Sequence, residues 1–154
     1  MTGRPRLAAT VWDEEQVLCE APDEAIAVRL WAAIARRLIG EAAPSTVSID
    51  CDDGETEMRL RVAGYRVAEV DRPEGGEVVD SVTLEAEGPL GRLLDPVLRL
   101  PPAAPLGALA VAADRGVDLD LGAGLDVWGT GALTALRGAA DDLGVALVEQ
   151  PPQE

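Results

Sequence analysis

Apolar residues recur every four positions in the segment that follows Pro22. Residues at this spacing share one face of a helix, and the four that do so are Ile26, Leu30, Ile34 and Leu38. Asp23 and Glu24 suit the first turn, because carboxylates stabilise the positive N-terminal end of a helix. Gly40 marks the end of the pattern. We therefore predict a helix that packs on the core, with Trp31 buried on its apolar face.

Alternation of apolar and polar residues predicts strands on both sides of this helix. The apolar run within residues 6–20 fits one or two strands, and residues 47–51 alternate strictly. Asp53-Gly54 is typical of a hairpin turn, and residues 58–62 alternate again after it. A further strand is predicted within residues 78–87, so this part of the chain is expected to form an antiparallel meander.

The segment 89–105 separates this pattern from a different one. It carries five prolines. Pro96 restricts any helix between Leu90 and Leu100, because proline cannot donate a backbone hydrogen bond and clashes with the preceding turn. Beyond this segment the alternation gives way to longer Ala/Leu blocks that are typical of helices.

Two of these blocks resemble each other: ALAVAADRGVDLDL (108–121) and ALRGAADDLGVALV (135–148). Each has the composition of an Ala/Leu helix, then a glycine, then a strand. We predict that a strand at 117–121, a helix at 131–143 and a strand at 145–149 form a right-handed parallel crossover.

The predicted fold is α/β with a mixed sheet. An N-terminal strand–helix and the antiparallel meander join a C-terminal parallel βαβ unit. The length of 154 residues suits a single domain. We expect that domain at 6–150, a flexible N-terminus at 1–5 and a tail at 151–154.

Composition excludes several kinds of chemistry. The chain has no His, so the usual general base and the commonest zinc ligand are missing. Cys19 and Cys51 lack metal or redox spacing, which indicates buried thiols in a reducing cytoplasm. No apolar run reaches the ~20 residues that span a bilayer, and the amino terminus lacks a signal-peptide pattern. These features predict a cytoplasmic protein that is not an enzyme and holds no cofactor or metal.

The formal net charge is −15, and all 13 basic residues are Arg. The absence of Phe, Lys and Asn points to the GC-rich genome of a bacterium. Such acidity disfavours nucleic acid and membrane as partners and favours a basic protein, although salt adaptation produces the same charge. Carboxylates are concentrated at Asp50, Asp52, Asp53 and Glu55. One hypothesis is therefore an acidic inhibitor or immunity-type protein whose basic target acts on nucleic acid.

The stretch GLDVWGTGALTALRG (124–138) leads an apolar strand through a Gly-Thr-Gly turn into a helix. With its flanks, at 105–150, it resembles the second half of a STAS domain, the fold of anti-sigma-factor antagonists. Asp126, Gly129 and Gly131 stand at that family's Asp and Gly positions. The resemblance implies a regulatory module that binds other proteins.

Other positions complete or depart from the STAS pattern. A predicted helix at 105–115 would match the first STAS helix, and Leu133 and Leu136 continue the face of the later helix. Val127 and Trp128 occupy the family's two serine positions, one of which is the phosphoacceptor. A kinase-driven switch is therefore not expected in this chain.

The candidate interaction site is this turn with the strand before it, formed by Asp126, Trp128, Gly129, Thr130 and Gly131. Trp128 is expected either to anchor a protein partner or to fold back over the core. Thr130 is expected to cap the helix, which would make the turn structural first. A third hypothesis is a small anionic ligand on the turn's amides. Self-association into a homodimer is left open.

Overall fold

The computed structural model describes residues 7–11, 16–20, 24–71, 81–101, 105–120 and 124–149. Within these ranges there are four helices and nine strands. The helices are α1 Glu24–Leu38, α2 Gly54–Val62, α3 Leu90–Leu98 and α4 Ala132–Leu143. The strands are β1 Leu7–Val11, β2 Gln16–Glu20, β3 Pro44–Cys51, β4 Arg66–Asp71, β5 Ser81–Pro89, β6 Gly107–Ala112, β7 Arg115–Asp120, β8 Gly124–Trp128 and β9 Ala146–Glu149. The predicted ends 1–5 and 151–154 lie outside the described residues.

All nine strands belong to one mixed sheet with the order β4-β5-β3-β6-β7-β8-β1-β2-β9. β1 and β8 pair in parallel, and the other neighbouring strands in the described residues pair antiparallel. Four helices and a sheet with both kinds of pairing confirm the predicted mixed α/β class.

The hydrophobic core lies on one face of this sheet. Two rows of buried side chains cross five strands on that face: Val47, Ala110, Val117, Val127 and Val11 in one row, and Ile49, Ala108, Leu119, Leu125 and Ala9 in the other. α1 packs over both rows, and Leu30, Trp31 and Ile34 on it are fully buried, as the four-residue spacing predicts. α1 also contacts α3 and α4, and α2 contacts α3, so the four helices form one layer.

The predicted hairpin at Asp53-Gly54 and the strand at 58–62 are wrong, because this segment forms α2. Asp53 is its N-cap, and its Oδ2 accepts hydrogen bonds from the amide and the hydroxyl of Thr56, at 3.0 and 2.9 Å. Thr56 and Leu60, four residues apart, are the buried pair of the helix. Helical spacing also explains two ion pairs across one turn, Glu55–Arg59 and Glu57–Arg61.

The predicted helix at 105–115 is also wrong, because β6 and β7 form a hairpin there. Ala113 turns the chain with a φ of +54°, in the left-handed region. Ala108 and Ala110 are buried on the core face of a central strand. Alanine has the highest helix propensity, but propensity contributes little free energy per residue, so burial in the middle of the sheet outweighs it.

The crossover differs from the prediction in its first strand. β7, which contains most of 117–121, runs antiparallel to β8. The pairings of β8 with β1, β1 with β2 and β2 with β9 give β8 and β9 the same direction. α4 therefore joins β8 to β9, with β1 and β2 between them. α4 and α3 themselves lie within the predicted ranges, and α3 continues through Pro96 to Leu98.

Removing the Asp53 carboxylate tests whether this segment is helical. Asp53→Ala is expected to lower the free energy of unfolding by about 1 kcal/mol, because two hydrogen bonds to Thr56 are lost at the helix N-terminus. Urea unfolding measures the change. Asp52→Ala, at the adjacent exposed position, is the control and should change little. Equal effects of both variants would contradict the capping role.

Candidate functional site

No helix in the described ranges covers the face of the sheet opposite the helix layer. We call it the open face. It is formed by the residues that alternate with the core positions in the central strands: Thr46, Ser48, Asp50, Thr83, Glu85, Glu87, Leu109, Val111, Gly116, Asp118, Asp120, Asp126 and Trp128. Because successive side chains of a strand point to opposite faces, burial of the core rows fixes this set.

Two carboxylates of the open face lie side by side because neighbouring strands bring them into register. Asp118 of β7 lies directly opposite Asp126 of β8. On its other side Asp118 faces Leu109, and Leu109 faces Ser48, which in turn faces Glu85. Like charges directly opposite each other destabilise a sheet, so Asp118 and Asp126 raise the free energy of the fold.

The pKa of Asp118 reflects this crowding. Partial burial raises it above its ordinary range, and the negative charges of Asp126, Asp120 and Asp50 raise it further. A cation placed beside Asp118 would relieve both the repulsion and part of the cost of burial.

Charge is distributed unequally between the two faces. The ion pairs found among the described residues lie on helices and turns, apart from Arg115 at the first residue of β7. They are Arg36–Glu41, Arg36–Asp95, Arg37–Asp142, Arg59–Glu55, Arg61–Glu57 and Arg115–Asp114. In the same ranges, Asp118, Asp126 and Glu85 have no ion pair. The helix layer therefore neutralises many of its own carboxylates. On the open face Asp118 and Asp126 are uncompensated within the described ranges, and Glu85 has Arg66 opposite it on β4 without an ion pair between them.

A concavity of about 420 Å³, which we call the trough, lies on the open face between β4 and β7. Its lining includes Asp50, Glu69, Thr83, Glu85, Leu109 and Asp118. The Thr83 hydroxyl donates a 2.5 Å hydrogen bond to Oδ1 of Asp50 and so fixes that carboxylate. Oδ2 of Asp50 lies 3.3 Å from where a Cβ at Gly107 would be, so glycine at 107 leaves room for it.

Trp128 lies on the open face, and neither predicted position describes it fully. A Cβ on Gly116 of β7 would lie 2.4 Å from Cζ2 of Trp128, so the indole ring rests directly on the glycine. The side chain is partly buried. Trp128 and Val111 lie on either side of Gly116 across the sheet, and Leu109 is two residues before Val111 on β6. Together Leu109, Val111 and Trp128 form an apolar strip on the open face.

The Gly129–Gly131 turn is a tight connection between β8 and α4. Gly129 has a φ of +108°, and a Cβ there would lie 2.5 Å from Cβ of Arg115. The predicted capping role of Thr130 is wrong, because Gly131 is the N-cap and α4 has no side-chain cap. Thr130 is exposed. The Ala132 amide, directly after the turn, donates a 3.1 Å hydrogen bond to the Gly129 carbonyl and closes the turn.

The predicted site residues are therefore divided between two places. Asp126 and Trp128 lie on the open face, whereas Thr130 and Gly131 are exposed at the turn beyond the end of β8. The acidic group at 50–55 is dispersed as well. Of its members, only Asp50 belongs to the open face; Asp53 caps α2 and Glu55 pairs with Arg59.

Sequence reasoning missed that Asp118 and Glu85 belong to one surface and line the same trough. Alternating carboxylates at 118 and 120, and at 85 and 87, were a visible signal of strands with an acidic outer face. Their proximity depends on the strand order, which no local pattern specifies.

Cys51 is buried in the core, in agreement with the expected buried thiol. Burial, with the nearby charges of Asp53 and Glu57, raises its pKa to about 11, which suppresses the reactive thiolate. The described residues contain no group of three or more Cys, Asp or Glu side chains placed to hold a metal ion. None of the four helices in the described ranges has the length and apolar character needed to cross a bilayer.

No protein-family model, no curated protein and no solved structure matches this chain. The resemblance to STAS domains stays a prediction; β8, the turn, α4 and β9 follow one another in the predicted order of elements. The open face is the feature on which a functional proposal can rest.

The positive φ at Gly131 gives a stability test of the turn. Gly131→Ala is expected to lower the free energy of unfolding by roughly 1–2 kcal/mol, because a Cβ is disfavoured at the observed φ of +85° although the space around it is empty. Thr130→Ala, one residue earlier, is the matched control and should have little effect. Chemical unfolding of both variants measures this. A larger loss for Thr130→Ala would restore its capping role.

The crowding of Asp118 predicts that removing its charge stabilises the protein. Folding raises the pKa of Asp118 from the ordinary value of 3.8, so at pH values just above 3.8 the folded state holds more protons than the unfolded state. The free energy of unfolding therefore falls as pH rises through this window. The penalty persists at neutral pH. Asp118→Asn should raise the free energy of unfolding there by roughly 0.5 kcal/mol and flatten its pH dependence.

Urea unfolding between acidic and neutral pH measures both effects of Asp118→Asn. The double variant with Asp126→Asn is the control for mutual repulsion. Since one substitution already removes the Asp118–Asp126 repulsion, the double variant should gain less than the sum of the single variants. Destabilisation by Asp118→Asn, or strict additivity, would contradict this account.

Proposed function

We propose that this protein is a non-catalytic, cytoplasmic regulatory module that binds a partner protein through its open face. The observation that carries the proposal is the composition of that face. The apolar strip of Leu109, Val111 and Trp128 lies among carboxylates: Asp118 lies between Leu109 and Asp126, and Asp126 is two residues from Trp128 on β8. An apolar centre with an aromatic residue and a polar border is typical of surfaces that bind proteins.

The rigidity of this surface supports binding. Leu109, Val111 and Trp128 project from paired strands in the sheet rather than from loops. Trp128 is held by its contact with Gly116, so little rotational freedom remains for a partner to remove. Binding to ordered side chains has a smaller entropic cost than binding to mobile ones.

A second candidate is the acidic inhibitor or immunity-type protein that binds a basic target acting on nucleic acid. It is favoured by the uncompensated carboxylates of the open face, Asp118 and Asp126. Both candidates use the same surface, and they differ in the charge of the partner.

Crosslinking tests the use of the open face without assuming the partner's chemistry. A photoreactive amino acid at Leu109 is expected to capture a discrete partner in the cells that express the protein. The control position is Arg92, which is exposed on α3 in the helix layer. Adducts are detected by gel shift and identified by mass spectrometry.

Two outcomes would contradict the proposed function. One is capture from position 92 alone, which would move the interface to the helix layer. The other is the absence of any discrete adduct from Leu109 and from Val111 placed likewise. An adduct between two copies of this chain would instead identify the partner as a second copy.

A further inference from the structure

We infer that the occupant of the open face is a basic protein surface that places an arginine side chain in the trough. This inference rests on the proposed function and names the chemistry of its partner. It is carried by charge complementarity on an uncovered sheet face and by the shape of the trough.

The first argument is the location of unpaired charge. On the helix layer, carboxylates such as Asp142, Glu55 and Glu57 already have arginine partners. At the trough, Asp118 has no cation partner within the described ranges, and Arg66, which lies opposite Glu85 on β4, forms no ion pair with it. A basic partner would therefore gain most by approaching the sheet from its open side.

The second argument is the arrangement of acceptors around the trough. Asp50 comes from β3, Glu85 from β5 and Asp118 from β7, so carboxylate oxygens reach the concavity from several sides. A guanidinium group has five N–H donors in one plane and can serve several acceptors at once. The ammonium of lysine is compact and strongly hydrated, so it fits this arrangement less well.

The third argument is the nature of the remaining lining. Leu109 and Ala68 line the trough beside the carboxylates. The weakly hydrated faces of a guanidinium can lie against such apolar groups while its edges donate hydrogen bonds. The Thr83 hydroxyl holds Asp50 in position before any partner arrives. The trough therefore combines oriented acceptors with an apolar contact, as arginine requires.

The fourth argument is energetic. Repulsion between Asp118 and Asp126 costs stability in the free protein, and the raised pKa of Asp118 reports that cost. A bound guanidinium removes the cost, so part of the binding free energy is stored in the unbound sheet. It follows that Asp118→Asn has opposite effects, with a more stable fold and weaker binding. A merely structural role of Asp118 would not separate the two.

Amide NMR spectra of the isotope-labelled protein provide the test, with hexa-arginine and hexa-lysine peptides as probes. Hexa-arginine should shift amides on the open face, including those of Ser48, Leu109 and Asp118, and should bind about threefold or more tightly than hexa-lysine. Asp118→Asn should weaken hexa-arginine binding about fivefold. Asp141→Asn, an exposed position on α4 with the same charge change, is the matched control and should leave binding within about twofold.

Each alternative outcome overturns the inference. Equal affinity for the two peptides would remove the preference for guanidinium. Equal weakening by Asp118→Asn and Asp141→Asn, or shifts spread over α1 and α4, would show attraction by net charge alone. Thermal unfolding of each variant confirms that it is folded. If a partner is captured from Leu109 while hexa-arginine fails to bind the trough, the proposed function stands and the basic partner is wrong.

Discussion

Trp31 joins the helix layer to the middle of the sheet, and the rest of the structure depends on that contact. The side chain is fully buried, and its indole N–H donates a 3.1 Å hydrogen bond to the Val117 carbonyl on β7. Since α1 contacts both α3 and α4, the position of α1 on β7 also sets where those helices lie. All four helices therefore cover the same face, and the opposite face remains uncovered in the described part of the chain.

The parts of the fold that were predicted correctly are those with a strong local signal. The four-residue spacing around Leu30 specifies α1, and the alternation at 47–51 specifies β3. Alternation at 58–62 was misleading, because α2 is short and buries only Thr56 and Leu60. In β6 the error had the opposite cause, since an alanine-rich segment favours a helix locally but lies in the centre of a sheet. In both α2 and β6, the residues that tertiary packing buries determine the secondary structure, and the local pattern does not.

The candidate site was predictable only where it follows the chain continuously. Asp126 and Trp128 are two residues apart on β8, so their shared face could be inferred from alternation alone. Glu85 and Asp118 line the same trough although β3 and β6 lie between β5 and β7. That order joins strands that are far apart in sequence, and it depends on long-range packing. The same distinction explains why Asp50 was grouped with Asp53, its neighbour in sequence, although Asp53 caps a helix.

The unequal distribution of charge between the two layers has a consequence for how the molecule meets any charged body. Arginines and carboxylates alternate over the helices, as in Arg37–Asp142, whereas Asp118 and Asp126 stand unneutralised on the other side. In the described part of the chain, negative charge is therefore displaced toward the open side of the sheet, which gives this part an electric dipole moment across the sheet. In the field of an approaching cationic surface it experiences a torque that turns the sheet side forward before contact. Orientation is thus selected during diffusion, and dissolved salt slows the encounter by shortening the distance over which that torque acts.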